Sequence, residues 1–477
     1  MEHSVVVVGG GISGLAAAHA LATGPNPPQI TVLESSPRLG GKLSGGELEG
    51  VPVDLGAESV LARRPEAVDL IRAVGLGDDL VHPATTSAGL WIGDRIRAIP
   101  PTVMGVPSDA SAAVDVLGKE AAEAVAHEPD LPAPALTEDV AIGRFVAERM
   151  GQAVSDRLVD PLLGGVYAGR AEEISLAAAV PELYARLRTA PSLLAATAEL
   201  RETGQRRNAA GEPVFAGLRG GINRLITALE TDLVARGVQI QRQATVRRIR
   251  RTANGYELES GPVPAPTFLQ ADAVVIAVPA TPAARMLADV VPQASTELAA
   301  IEYASMAIVT LAVRKEDWPS NATGSGFLVP SVEGRTIKAS TYSHAKWQWS
   351  ADAGGDLAVL RCSVGRLGEE YVLQRSDEEL TALAAADLRT AIGLQAPVVG
   401  SLVTRWGGGL PQYAVGHLDR IDRVEAAVAD QPGLAVCGAA YRGVGIAACV
   451  ASAAKAATRV LAHLQSPAGE PAKTSKR

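Results

Sequence analysis

The chain has 477 residues, 47% apolar and 20% charged, which excludes a disordered polymer and is enough for two or three domains, in series or interleaved. Asp plus Glu number 52 against 44 Lys plus Arg, and a formal charge of −8 argues against a general nucleic-acid binder. Cys362, Cys437 and Cys449 form no CxxC spacing, so a disulfide scaffold and a cysteine-rich metal site are excluded and a reducing compartment is expected.

From Val5 to Ala22 there are 18 residues without a charge. No basic segment precedes them, and the glycines Gly9–Gly11 would weaken a spanning helix. The stretch predicts instead a buried parallel strand at Val5–Val8 and a helix over Ser13–Ala22. Gly9, Gly11 and Gly14 form GxGxxG at the junction. The first allows a tight turn, the second lets backbone approach a pyrophosphate, and the third lets helix and strand pack closely. Ile12 and Ser13 open the helix, whose N-terminal amides face negative charge. A second strand, Gln29–Leu33, ends at Glu34, with Ser35 beside it. Glu34 lies 20 residues after Gly14, where an acceptor for a ribose hydroxyl belongs, and a carboxylate there favours FAD or NAD over NADP.

Arg38, Gly40, Gly41 and Lys42 follow at once. Two glycines let the chain pass close to a flat cofactor, and Arg38 offers a charge to pyrophosphate. Gly56, Ala57 and Glu58 give another close approach. Residues 60–80 predict a helix, and Trp91-Ile92 with Ile96–Ile99 a small hairpin. Residues 110–205 are expected to be mostly helical, with breaks at Pro129–Pro134, Pro161 and Pro181. A helix over Ile222–Arg236 leads to strands near Val238–Ile240, Thr245–Ile249, Tyr256–Leu258 and Ala273–Val278. Residues 300–420 read as a mixed sheet with helices, fit to roof a cofactor. A late strand, Leu434–Cys437, runs into Gly438, Tyr441, Val444, Gly445 and Ile446 and a small-residue helix to about Leu464. Its amides could stabilise negative charge on a reduced flavin. From Gln465 onward the chain is short, polar and expected to be disordered. The histidines are scattered and suggest no metal site.

Gly9–Leu15, Glu34, Arg38–Gly41 and Val53–Ser59 together resemble the FAD-containing amine oxidase and protoporphyrinogen oxidase superfamily. Further stretches are similar to the Gram-positive type of coproporphyrinogen III oxidase, coproporphyrin-forming. They are Thr102–Pro107, Asp160–Gly169, Tyr342–Trp347, Trp406 with Leu410–His417, and Gly438–Ile446, spanning nearly the whole chain. The resemblance implies an α/β fold: a discontinuous Rossmann-type FAD-binding domain like that of p-hydroxybenzoate hydroxylase, a mixed-sheet substrate domain and a helical domain. The expected division is 1–85, 212–282 and 421–465 for FAD, 95–211 helical, 86–94 and 283–420 for substrate, and a tail at 466–477.

The resemblance also implies non-covalent FAD and oxygen-dependent oxidation of a porphyrinogen, coproporphyrinogen III before protoporphyrinogen IX. The alternatives are a flavin amine oxidase or a carotenoid desaturase. A porphyrinogen is a large macrocycle with carboxylate arms, so it needs a broad cavity with a few rim cations. Tyr167, His344, Lys346, Trp406, Gln412 and Tyr413 are candidates for that cavity, and Arg95 and Arg97 for the arms; no indispensable protein nucleophile is expected, and no general base is assigned. Val246 and Trp406 join the expected cofactor contacts. Weak peripheral membrane contact is compatible with the resemblance, and hand-over of product to a ferrochelatase follows from pathway logic alone. Phe145, Tyr167 and Tyr184 are the only aromatics from 110 to 205, which argues against deep membrane seating.

Overall fold

The computed structural model describes residues 3–465, so the expectation for the 466–477 tail lies outside it. Five parallel strands form one sheet in the order Gln239–Gln241, Gln29–Leu33, Ser4–Val8, Ala273–Ile276, Leu434–Val436. Three separated stretches of sequence thus build one sheet, with the first strand at its centre. The valine run is uninterrupted because both faces of the strand are covered. Val5 and Val7 pack with the helices Ile12–Ala22, Arg224–Ala235 and Ile446–Gln465. Val6 and Val8 pack on the other side, against the antiparallel strands of 246–271 and the helices Ala280–Leu287, Pro292–Ala299 and His417–Ala429.

The expected helix at 60–80 is shorter than the apolar pattern suggested. Val60–Leu61 pairs with Phe215–Ala216, Pro65 begins the helix, which ends at Ala73, and Leu80–Val81 pairs with Gly217–Leu218. Pro65 fixes the start, and Gly75, at φ +81°, turns the chain out of the helix. The hairpin appears as Gly89–Ile92 with Arg95–Ala98, and both of its strands join the larger sheet, so that sheet extends past residue 94.

That sheet has seven strands, in the order Gly400–Pro411, Tyr303–Arg314, Leu357–Val364, Ile337–Thr341, Gly326–Leu328, Gly89–Ile92, Arg95–Ala98. One face, with Leu360, Cys362 and Val364, is buried against the helix Asp377–Ile392. On the opposite face Met306, Leu328, Ala339, Thr341, Ser363 and Trp406 are only half-buried. The helical segments between Val114 and Ala209 share one core with Leu90, Ile92 and Tyr413, so they close over one end of this second face. Among the described residues no helix is long and apolar enough to cross a membrane.

Candidate functional site

The glycine motif sits where the central strand meets the first helix. Gly9 has φ +107°, and a Cβ there would lie 2.6 Å from the Ala277 carbonyl oxygen. A Cβ on Gly14 would fall on the Gly9 carbonyl, so helix and strand touch through backbone alone. Gly11 is different. Its Cβ position is open, with Gly41 Cα the nearest atom at 4.0 Å. The Gly40 N–H donates to the Gly10 carbonyl at 2.8 Å, which brings Arg38–Lys42 over the motif. Gly438 and Gly445 line up a third open backbone segment: the nearest atom to a Gly438 Cβ is Ser13 Oγ at 3.7 Å, and none lies within 4 Å at Gly445.

Glu34 closes the far end of this cradle. Its Oε2 accepts from the Gly10 N–H at 2.7 Å and its Oε1 from the Ser36 N–H at 2.7 Å, while the Ser35 hydroxyl lies 3.3 Å from Oε1. The Ala244 N–H donates to the Glu34 carbonyl at 2.8 Å, which sets Val246 two residues from that end. Lys42 is half-buried and burial lowers its amine below the ordinary lysine range. Arg38 lies 5.6 Å over the Trp406 ring and donates to the Gly41 carbonyl at 2.9 Å. The open Cβ positions at Gly11, Gly438 and Gly445, the anchored Glu34 carboxylate and the cations Arg38 and Lys42 are the features a dinucleotide cofactor needs, so the residues fit FAD.

Between cradle and sheet lies a buried ion cluster. Glu58 pairs with Lys346 and, at 2.6 Å, with Arg361, whose second guanidinium nitrogen donates to the Gly56 carbonyl. Burial alone would raise the Glu58 carboxyl, but the two cations outweigh it and hold it at about 2. Lys346, a candidate for the substrate cavity, is the partner of Glu58. Arg361 was missed in the sequence. The signal was present, since a lone arginine inside the apolar strand Leu357–Val364 must point to the face that needs charge. Trp406 donates from Nε1 to the Leu55 carbonyl at 2.9 Å, and Gly56 leaves room for the ring: its Cβ would stand 3.3 Å from Trp406 Cζ2.

The remaining candidates divide. Tyr413 is a strut: its hydroxyl donates to the Ala439 carbonyl and accepts from the Gly443 N–H, both at 2.7 Å. It ties the sheet to the terminal glycine segment. His417 stacks on it with centroids 3.9 Å apart, and its Nε2–H donates to the Tyr441 carbonyl at 2.8 Å. Gln412 donates to the Tyr167 and Leu410 carbonyls at 2.8 and 3.1 Å, a buried bracing role. The Tyr167 ring lies 5.4 Å from that of Tyr413, burial pushes its phenol up to about 12, and its hydroxyl has no hydrogen-bond partner among the described residues. His344 sits against Trp318 with Nδ1 3.1 Å from the Val359 carbonyl, and burial lowers its pKa. Arg95 and Arg97 are not brought to this site. Both lie on the edge strand, six strand spacings or roughly 29 Å along the sheet from Trp406, and pair there with Asp115 of the short helix Val114–Leu117. Tyr441 is fully enclosed, and Cys437, behind Gly438, is buried with its thiol pushed far up by desolvation.

The family model of flavin containing amine oxidoreductases matches residues 12–461. A coproporphyrinogen III oxidase of Mycobacterium tuberculosis (strain ATCC 25618 / H37Rv) is 37% identical over 472 residues, covering 97% of this chain and 98% of its own. That of Mycobacterium leprae (strain TN) is 38% identical over 472 residues, with 95% and 97% covered. The crystal structure of a candidate protoporphyrinogen oxidase from Exiguobacterium sp. 255-15 superposes with a TM-score of 0.83 at 32% identity, over 98% of this chain and 100% of that one. The cradle, the mixed sheet facing it and this likeness across both together place the chain in the flavin-containing amine oxidoreductase superfamily, as a member of its coproporphyrinogen and protoporphyrinogen oxidase family.

Proposed function

We propose that the protein oxidises coproporphyrinogen III to coproporphyrin III with oxygen, using non-covalent FAD. The observation that carries this reading is the full-length identity of 37% to a relative named coproporphyrinogen III oxidase, together with a half-open sheet face opposite the cradle. Bound FAD supplies the two-electron chemistry, so six electrons leave the macrocycle in three rounds and three oxygen molecules become three hydrogen peroxide.

The residues hold and shield. Gly9, Gly11, Ile12, Ser13 and Gly14 present backbone to the pyrophosphate. Glu34 and Ser35 take the ribose, with Val246 at the adenine end. Arg38, Gly40, Gly41 and Lys42 cover the phosphates. Gly56, Ala57, Trp406 and the segment Gly438, Val444, Gly445, Ile446 flank the isoalloxazine, while Tyr441, enclosed in the core, supports that segment from behind. Glu58, locked as an anion by Lys346 and Arg361, fixes the wall between the cradle and the sheet and moves no proton near neutral pH. The buried, desolvated Cys437 thiol supports a cofactor held without a covalent bond. The domains we assign are 1–85, 212–282 and 421–465 around FAD, the sheet around the substrate, and the helical segments as its lid.

The test is aerobic turnover of FAD-loaded protein on coproporphyrinogen III and on protoporphyrinogen IX, following the Soret band and peroxide against spontaneous oxidation. Three peroxides per porphyrin and a preference for coproporphyrinogen III are expected. A preference for protoporphyrinogen IX would keep the chemistry and change the substrate; no rate above background on either would overturn the reading. Acid precipitation is expected to leave FAD in the supernatant.

A further inference from the structure

The strand Ile337–Thr341 breaks register between Ile337 and Ala339, and the residue at the break is Lys338. Such a bulge re-aims a side chain out of the strand's alternation. Lys338 is 5% exposed, and its Nζ has one protein acceptor, the Gly164 carbonyl at 3.3 Å. The charged group that acts on it is a like charge, Arg366. Arg366 itself donates to the Val329 carbonyl at 3.0 Å and stands 3.5 Å from Glu369 at the rim. Asp160, the inner acid of this corner, is engaged by the Ser331 hydroxyl at 2.8 Å and the Ala171 N–H at 3.3 Å. Among the described residues the corner thus encloses an ammonium with no carboxylate paired to it. Burying an unpaired cation is costly, and proteins normally meet that cost with a counter-ion. Burial, with Arg366 behind it, pushes the amine down to about 7, which is the price of leaving it without an anion.

The corner adjoins the half-open face. Gly164 and Gly165 lie within the helix Asp160–Tyr167 that covers it, and a Gly165 Cβ would stand 3.7 Å from Leu328 Cδ2. Leu328 pairs with Ala339, the residue after Lys338, on that face. We propose that Lys338, backed by Arg366, receives one carboxylate arm of the tetrapyrrole. This rests on the porphyrinogen reading above. Lys338 is then a specificity residue: it neither accepts nor delivers electrons, and it acts on binding.

The experiment compares FAD-loaded wild type, Lys338→Met and Lys338→Arg in binding coproporphyrin III and its tetramethyl ester, followed by porphyrin fluorescence. The wild type is expected to prefer the free acid. Lys338→Met should lose about tenfold or more in affinity for the acid and nothing for the ester, since a charged hydrogen bond is lost in one case only. Lys338→Arg should restore most of it. FAD content should be unchanged, and the thermal midpoint of Lys338→Met equal or higher, because an unpaired buried amine has been removed. Equal acid affinity in Lys338→Met and wild type would overturn the assignment, as would equal loss for acid and ester. If Lys338→Met gives no soluble protein, the wild type decides: equal affinity for acid and ester overturns it. A wild type that binds neither porphyrin and turns over neither porphyrinogen sinks the porphyrinogen reading itself, whereas normal turnover with no effect of Lys338→Met sinks the assignment of Lys338 alone.

Discussion

The dinucleotide cradle and the seven-stranded sheet opposite it differ in what their residues contribute. In the cradle the working groups are backbone amides, and the side chains matter by their absence: Gly9 and Gly14 have no room for a Cβ, Gly11 has room that the protein does not use. On the sheet the backbone is occupied in its ladder, and charge arrives through side chains, such as Lys338 and Arg361 on two neighbouring strands. A backbone site tolerates no added atom, whereas a side-chain site tolerates no lost partner. Substitutions can therefore separate the two.

The largest effects are expected in the cradle. Gly14→Val drives side-chain atoms into the Gly9 carbonyl and should cost on the order of 3 kcal/mol or more, with little folded protein and no flavin. A Cβ at Gly11 has no protein atom nearer than Gly41 Cα at 4.0 Å, and Gly11 already has an ordinary φ of −73°, so Gly11→Val puts its methyls into the cradle and not into the packed core. It should fold, with an apo thermal midpoint close to wild type, yet lose the flavin absorbance near 450 nm, roughly the usual flavin band. A Gly11→Val protein that retains full flavin would show that the pyrophosphate does not lie over this glycine.

Next comes the ion cluster that joins the two regions. Glu58→Gln leaves Lys346 and Arg361 facing each other in a buried wall, and removing one partner of such a cluster costs about 3–5 kcal/mol. The pH dependence has a definite sign. The Glu58 carboxyl is depressed in the folded state, so its contribution is full above the ordinary carboxylate value and is lost as pH falls towards about 2. His417 adds to this in the same direction: burial holds its imidazole at about 4, so stability drops as pH falls from the ordinary histidine range to that value. Denaturant melts at neutral pH and at successively lower pH should show wild type losing stability steadily and Glu58→Gln losing less, by the share that Glu58 contributes.

The cradle was legible in the sequence because its constraints are local. A strand, a spaced set of glycines and an acid 20 residues on are all within one short stretch. The sheet was legible only as a sheet. Tyr413, Gln412 and His344 were picked out as candidates because they lie in recognisable stretches, yet their polar atoms brace carbonyls at Ala439, Tyr167 and Val359. No spacing rule predicts such contacts, since each partner lies in another element. Lys346 was singled out for its charge, but which acid it meets depends on the fold bringing residue 58 to residue 346. Arg361 was recoverable from a coarser clue, a cation inside an otherwise apolar strand, whereas Lys338 stands among Ala, Ser and Thr in a strand with no such contrast. The pattern indicates that the charge is needed and says nothing of the partner.

Tyr413→Phe should have an intermediate effect. It removes a donor to the Ala439 carbonyl and an acceptor for the Gly443 N–H, and each group left unpaired costs about 1–3 kcal/mol. Because these bonds position the terminal glycine segment, flavin should dissociate faster on dilution, with the aromatic core otherwise intact. Loss of stability without any change in flavin retention would mean that the strut supports the core and not the cradle.

The smallest effect is expected at the far edge of the sheet. Arg95→Ala breaks an exposed pair with Asp115, and such pairs are worth about 0–1 kcal/mol. Arg97→Ala loses more contact, since Arg97 is mostly covered and also donates to the Asp115 carbonyl at 2.9 Å, but it too stands at the strand farthest from Trp406. Both variants should keep kcat/KM on a porphyrinogen within about twofold of wild type, a change of roughly 0.4 kcal/mol. A large rise in KM for either one would mean that the macrocycle reaches across the whole sheet, which would move the carboxylate-binding end from the Lys338 corner to the hairpin.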